Sequence, residues 1–449
     1  MRTNIKPLFL VLSFFSFIAH ANELFNKIEY LGKSTIEASK EKQVLGISSI
    51  RYDEERGKFF LVSDDTGTIP NRYGFEAPAR YYTINLQEIW SLKNETLVDD
   101  FNTKKIAIRE QVIKPDNSLA YINNGHVDLE SIALFGEDEL LVASEQDATY
   151  PVSWKFPFFH IPGWSVYSSL LRIDKGGRLT GYFTLPDYYT DDQSFSRFLR
   201  HYPRLDKDVY RKGMKRNKGI ESLDRFKNTD SYLAIVEGPL IQDEQGWPAR
   251  FGEPPSRLIS FNMKDIKNSG EKSGEIKPDG EYFYPRSPLP KELLENIKDT
   301  YPRRGITDIE ILNARYAMVI ERNFLVYSDG KNPRSVTELY LLQLHHGFDF
   351  KGSAGYPLTT DPDKDDNSTL KKKLLLRSTD LEGKDESFNR LNIEGLTLGP
   401  NFPDGSRLLI MVNDNDANKG SEPTYLMFFK VPKTLLDGDY VKALSLFNQ

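Results

Sequence analysis

One pattern returns five times along this chain and limits what it can become. A short apolar step carrying a carboxylate opens each repeat: Gly46-Ile47-Ser48-Ser49-Ile50, Asp128-Leu129-Glu130-Ser131-Ile132, Gly219-Ile220-Glu221-Ser222-Leu223, Asp308-Ile309-Glu310-Ile311-Leu312 and Asn392-Ile393-Glu394-Gly395-Leu396. The first lacks the Glu and the other four carry it. A second apolar stretch in each repeat ends on an acid, at Asp64-Asp65, Glu145, Glu237, Glu321 and Asp414. The openings recur at intervals of 82 to 91 residues, and such a period signals a repeat architecture. Radial repeats set equivalent positions around one axis, so carboxylates distant in sequence would meet in space.

Each repeat reads as strands. In the second, Leu129–Phe135 is followed by a turn at Gly136-Glu137-Asp138, then by Leu140–Ser144 and Ser169–Ile173. Asp174-Lys175-Gly176-Gly177 is a hairpin signal before a fourth strand over Arg178–Leu185. The third-strand element recurs at Arg80–Leu86, Arg257–Phe261, Glu338–Leu342 and Thr424–Phe429. Four short strands per repeat describe a propeller blade. The expected fold is therefore an all-β propeller of five visible four-stranded repeats, with long inserted loops and short helices. A sixth, degenerate blade could lie in the inserts.

One domain over residues 22–449 is expected, with its largest insert at about 146–216. A short helix is plausible at Pro290–Lys298, and Asp361–Ser368 reads as an acidic loop. The strand over Lys27–Ile36 would complete the C-terminal blade and close the ring.

Met1–Lys6 is basic, Leu8–Ile18 is apolar, and Ala19-His20-Ala21 is a small-x-small ending. This is the plan of a secretory signal peptide, with cleavage expected after Ala21 and the mature chain exported to the periplasm or secreted. The apolar run is shorter than the about 20 residues a bilayer demands, so no transmembrane anchor is expected. With no cysteine in the chain, thiolate chemistry is excluded. The net charge of −6, with both signs interspersed, argues against nucleic acid as a partner. We expect a monomer.

Innermost strands line a propeller's channel, so the repeated acids would face one another. Two like charges about 5 Å apart at an effective dielectric of 20 repel by roughly 3 kcal/mol. Protonation, pairing with Lys or Arg, or a bound hard cation could compensate. Repeat acids can also accept hydrogen bonds from a neighbouring blade's backbone, and both roles stay open. Lys218 and Arg322 stand beside the acidic positions. Arg322 could neutralise a channel Glu or contact an anionic substrate. His126 and His345-His346 read as structural, and Asn413-Asp414-Asn415-Asp416 as an Asx-rich turn that calcium would suit. There is no Gly-x-Ser-x-Gly elbow, phosphate-cradling Gly-x-x-x-x-Gly-Lys loop or His-Glu-x-x-His pair.

The ordered motifs resemble the phytase-like family described as having esterase-like activity, a family of exported β-propellers. The resemblance lies in Gly46-Ile47-Ser48, Asn217–Leu223, Gly305-Ile306-Thr307-Asp308-Ile309 leading to Val319-Ile320-Glu321-Arg322, Tyr282-Phe283-Tyr284-Pro285, and Asn392–Leu396 leading to Asn413-Asp414-Asn415. Lys218 stands where Arg is common in that family, which removes bidentate capture of an anion there. The resemblance implies a propeller and a calcium-assisted phosphoester or ester hydrolase. On that reading Glu130, Glu221 and Glu394 are the catalytic candidates, and Lys218 and Arg322 bind a small anionic substrate. Asp64, Glu130, Glu221, Glu310 and Glu394 hold Ca2+, with Mg2+ as the alternative. A non-catalytic propeller is the other reading. It would bind a glycan, lipid head group or envelope protein through Trp154, Phe156, Phe158, Phe159 and Trp164.

Overall fold

Runs of β-branched, aromatic and leucine side chains with turn residues between them make the strands, and the strands assemble into five antiparallel blades. The computed structural model describes residues 28–37, 44, 46–64, 79–114, 128–145, 154–156, 159–161, 168–189, 213–215, 218–247, 253–288, 291–293, 295, 303–326, 334–344, 370–381, 383–385, 388, 390–415 and 423–436. Blade 1 runs outward through Ile47–Asp53, Lys58–Ser63, Arg80–Asn85 and Arg109–Val112. Blade 2 uses Asp128–Phe135, Glu139–Glu145, Ser169–Asp174 and Leu179–Thr184. Blade 3 uses Ile220–Arg225, Ser231–Val236, Ser256–Asn262 and Pro278–Tyr284. Blade 4 is built from the longer strands Arg303–Asn313, Tyr316–Leu325, Arg334–Gln343 and Lys371–Arg377. Blade 5 has Asn392–Asn401, Arg407–Asp414 and Tyr425–Val431, and the N-terminal strand Glu29–Glu37 pairs onto its outer side. The propeller therefore has five blades, closed by pairing the two ends of the described chain as the sequence suggests.

Inner strands pack side by side in the order 1-2-3-4-5 and back to 1, giving a closed ring. Both faces of each blade are buried, and an apolar cluster fills each junction. Leu408, Ile410 and Val412 pack toward blade 1, while Leu409 and Met411 on the same strand pack toward blade 4. That alternation is the two-residue period of a strand covered on both sides. Two outer edges are covered by a neighbour: Lys105–Ala107 runs parallel to Glu29–Glu37, and Ser273–Glu275 runs parallel to Leu179–Thr184.

A β-bulge interrupts every inner strand at the same level. Pairing skips Ser48 between Ile47 and Ser49, Glu130 between Leu129 and Ser131, and Glu221 between Ile220 and Ser222. It skips Thr307 between Ile306 and Asp308, and Glu394 between Ile393 and Gly395. A bulge turns one extra side chain out of the ladder, here toward the axis. The bulges fix the alignment of the repeats. Blade 4 contributes Thr307 at the level of the glutamates, and Glu310 lies three residues further along the same strand.

Of the remaining sequence expectations, a single turn of 3-10 helix spans Lys291–Leu293 within the stretch read as a helix. The aromatic insert forms a small hairpin, Trp154–Phe156 against Phe159–Ile161. Its side chains lie outside the described residues, as do the leader, Asp65, His126, His345-His346, Asp361–Ser368 and Asp416.

Candidate functional site

Above the bulges, the second strand of each blade supplies a partner residue at the same end. Asp64 accompanies Ser48 in blade 1, its N–H bonded to the Gly46 carbonyl at 2.9 Å. Glu145 pairs with Asp128 beside Glu130, and Asp414 pairs with Asn392 beside Glu394. In blade 3, the Glu237 N–H bonds to the Gly219 carbonyl at 2.9 Å beside Glu221. In blade 4 the position pairs with Gly305 and is Arg322, next to Thr307. Four blades thus present acids at this position and one presents a guanidinium.

Glu321, the acid that sequence reading set at this point, is one residue earlier and faces away from the axis. It accepts from Tyr284 Oη at 2.8 Å and from the Ser287 N–H at 3.3 Å, and pairs with Lys372.

The acids converge. Carboxylate oxygens of Asp64, Glu394 and Asp414 lie within 4.8 Å of one another, as do those of Asp128, Glu130 and Glu145, and those of Glu145, Glu221 and Glu237. Arg322 joins two of these groups. Its Nη2 donates to Glu237 at 3.0 Å and its Nη1 to Asn392 at 2.9 Å and to Glu394. Lys218 Nζ sits 2.5 Å from Glu237. Asn392 Nδ2 bridges Glu394 at 2.9 Å and Asp414 at 3.0 Å. Glu145 accepts the N–H of Gly219 from the next blade. A Cβ on Gly305 would overlap the Glu237 carboxylate, so only glycine lets that side chain lie across blade 4.

Among the described residues, eight carboxylates (Asp64, Asp128, Glu130, Glu145, Glu221, Glu237, Glu394 and Asp414) therefore share this end of the channel, and Arg322 and Lys218 pair with members of the set. Burial and like charge act together. Burial, then Glu221 and Asp128, pushes Glu130 well above the usual carboxylate range. Burial, then Glu237 and Glu145, does the same to Glu221, against the pull of Arg322. Glu145 is raised by burial and then by Glu237. Glu394 is pushed up to about 8, chiefly by burial, with Arg322 opposing and Asp414 adding to the rise. Arg322 is part-buried, and Glu394 and Glu237 hold it charged against the cost of desolvation.

A floor closes the channel below. In blades 2, 3 and 4 the residue after the bulge reaches the next blade: Ser131 Oγ accepts the Leu223 N–H at 2.8 Å, Ser222 Oγ the Ile309 N–H at 2.7 Å, and Asp308 the Leu396 N–H at 2.8 Å. Two residues deeper the arrangement repeats, with Asp224 accepting Ile311 N–H at 2.6 Å, Glu310 accepting Leu398 N–H at 3.0 Å and Thr397 accepting Tyr52 N–H at 3.1 Å. Between these tiers lies Arg51. Its Nη1 donates to the Ile50 and Leu396 carbonyls at 2.7 and 2.8 Å, and its Nη2 to Leu223 and Ile309 at 2.9 and 2.7 Å. Both nitrogens also bond Asp308, at 2.8 and 2.6 Å. Arg51 thus ties together four blades across the axis, and the acidic end becomes a cup.

The structure brings together Asp64, Glu130, Glu221 and Glu394, with Lys218 and Arg322 among them. It does not bring Glu310 to that set: Glu310 sits in the floor, where it staples blade 4 to blade 5. Asp128, Glu145, Glu237 and Asp414 belong to the cup as fully as the residues read from sequence. Ser48 is the position at which the first opening lacks its Glu, as the aligned openings have it, whereas Thr307 is missed when the fourth opening is aligned on Glu310. Aligning on Gly46-Ile47, Gly219-Ile220 and Gly305-Ile306 finds Thr307.

The donors fit a hard divalent cation. They are oxygens only, and within each group they lie close enough together to share one ion.

A profile of the phytase-like family, described as "Esterase-like activity of phytase", matches residues 42–417. No curated protein matches at a significant level. Among solved structures, the chain is similar to a mannose phosphorylase from Leishmania mexicana in complex with phosphate ion, at 10% identity and a TM-score of 0.39, covering 94% of this chain and 93% of that one. It is also similar to the hydrazine synthase of Kuenenia stuttgartiensis, at 8% identity and TM-score 0.31, with 88% and 98% covered. A luciferin-regenerating enzyme gives 8% identity and TM-score 0.29, with 90% and 96% covered. Likenesses this distant carry no functional argument.

Proposed function

Since the chain belongs to the phytase-like family, we propose that the acidic cup hydrolyses a phosphoester or a related ester with the help of a bound divalent cation, calcium in the first instance and magnesium as the alternative. One observation carries this reading: among the described residues, eight carboxylates meet Arg322 and Lys218 at a largely buried site, and carboxylates packed this closely favour a bound cation or protons. Glu130, Glu221 and Glu394 would hold the cation together with Asp64, and Asp128, Glu145, Glu237 and Asp414 would complete the set. When bound, such an ion polarises a phosphoryl or carbonyl oxygen and lowers the pKa of bound water.

The chain's own groups do the rest. Lys218, about a quarter exposed at its side chain, and Arg322 present donors to an anionic group and orient it. Arg322 is fixed between Glu237 and Glu394, so its donors are preorganised. Glu130, Glu221 and Glu394 are the carboxylates placed to take a proton from an attacking water or return one to the leaving oxygen. The floor shuts the channel from below, so substrate enters from the acidic face.

The leader supports export to the periplasm or beyond, and no described helix is long and apolar enough to cross a membrane. The protein is proposed to act as a monomer. The test is turnover of phytate, p-nitrophenyl phosphate and p-nitrophenyl acetate by the mature chain, with chelator and with calcium, magnesium or manganese. Cation-dependent release of product is expected. Absence of turnover with every cation and every substrate sinks the proposal.

A further inference from the structure

Resting on the reading of Lys218 as a residue that binds the substrate's anionic group, we propose that Gln242 and Gly238 are positioning residues for Lys218, and that the buried ion cluster of Asp243, Arg257 and Glu281 is the base that fixes them.

A lysine's flexible four-carbon stem places its ammonium poorly unless the backbone beneath it and the stem itself are held. Gln242 holds the backbone. Its Oε1 accepts the Gly213 N–H at 2.8 Å, and its Nε2 donates to the Tyr188 carbonyl at 2.9 Å. Gln242 belongs to the short helix Ile241–Gly246, whose first N–H donates to the Gly213 carbonyl at 3.0 Å. The Met214 N–H bonds the Tyr189 carbonyl at 3.1 Å. Gly213 and Met214 are thus clamped between the helix and the tyrosine pair, and Lys215 beyond them forms a β-bridge with Lys218. Gly238 holds the stem. The stem lies across that residue, since a Cβ there would come 3.2 Å from Lys218 Cδ. The ammonium then ends on Glu237.

The second, independent observation is what lies under the clamp. Asp243, Arg257 and Glu281 are all buried. Arg257 donates to Asp243 through Nε at 2.6 Å and Nη2 at 2.8 Å, and to Glu281 through Nη1 at 2.9 Å. Glu281 also accepts the hydroxyls of Tyr188, at 2.8 Å, and Tyr189. One guanidinium therefore ties both jaws of the clamp, the helix through Asp243 and the tyrosines through Glu281. Apolar packing would serve stability as well as a buried ion cluster does, whereas a hydrogen-bonded network fixes one geometry. The geometry fixed here is that of the segment leading to Lys218.

Steady-state kinetics of the full-length mature protein on p-nitrophenyl phosphate in saturating calcium test this. Gln242→Ala should raise KM about fivefold, the worth of about one hydrogen bond, with kcat nearly unchanged. Gly238→Ala crowds the stem and leaves the clamp intact, and it should raise KM by a smaller factor. In the Lys218→Gln background neither substitution should move KM, because the side chain they place is gone. Should Gln242→Ala fail to fold, Gly238→Ala with and without Lys218 still decides. A KM unchanged in both variants, or raised equally with and without Lys218, overturns the positioning role while leaving anion binding by Lys218 standing. If Lys218→Gln itself leaves KM unchanged, or no substrate turns over, anion binding at Lys218 and this inference fall together.

Discussion

The cup and the floor beneath it are built from the same repeat and contain acids in both places, but they dispose of charge in opposite ways. In the floor, Asp224, Asp308 and Glu310 each accept a backbone N–H from the following blade, and Arg51 sits among them. These acids hold the ring together, and Arg51 opposes the rise that burial imposes on Asp224 and Glu310. In the cup, Glu130, Glu221 and Glu394 stand at the bulges, and among the described residues Arg322 and Lys218 pair with members of a set of eight carboxylates. Position decides the role: a carboxylate beyond the bulge meets the next blade's backbone, and one at the bulge meets other carboxylates. The first arrangement is architecture. The second is chemistry waiting for a counter-ion.

Breaking the floor should have the largest effect. Arg51→Leu leaves Asp308 buried without its cation and four carbonyls without their donor. A loss of about 3–5 kcal/mol is expected, read as the shift in urea midpoint times the m-value. A loss below 1 kcal/mol would show that the staples, not the arginine, carry the closure. Next in size is the cup's response to calcium. Saturation at a hundred times Kd should stabilise the protein by about 2.7 kcal/mol per site. The expected readout is a higher urea midpoint with calcium than with chelator, and equal midpoints would refute it.

The pH dependence sharpens the contrast. Burial, then Asp224, pushes Glu310 up to about 8 from an ordinary 4.5, with Arg51, the Leu398 N–H and Arg407 opposing. Asp224 rises to about 6, mainly through burial, with Arg51 again opposing. The native state then binds more protons than the unfolded state between these values. Stability contributed by Glu310 is therefore fully present below about pH 4.5 and is lost as pH rises through about 8. Glu310→Gln should flatten that slope even in saturating calcium, because Glu310 lies outside the carboxylate groups that could hold a metal ion. An unaltered slope in the variant would assign the titration elsewhere. Smallest is Lys218→Gln. This ion pair with Glu237 is partly exposed, so its loss should cost under about 1 kcal/mol. The variant's KM for p-nitrophenyl phosphate should rise more than its kcat falls, and a pure kcat effect would argue against anion binding there.

Much of the propeller could be read from the chain. Four of the five openings, the third-strand elements and the closing N-terminal strand fall where the period places them. The blade 4 register could not be read by aligning on acids, because Glu310 imitates the glutamates from a position three residues past the bulge. A bulge shifts which side chain faces the axis, and it leaves no residue-type signature when the bulged position is Thr307 or Ser48. Arg322 was legible as a neighbour of the acids but not as the residue that replaces one, since Glu321 beside it fitted the pattern equally well. Arg51 carried no signal at all. Its role arises only when four blades deliver carbonyls to one point, which is a property of closure and not of any local segment.

The most direct test compares Glu221→Gln with Glu310→Gln by the rise in melting temperature on adding calcium to the chelated protein. The account predicts that the rise is reduced in Glu221→Gln and retained in full in Glu310→Gln. An equal rise in both variants, or none in the unaltered protein, would contradict it.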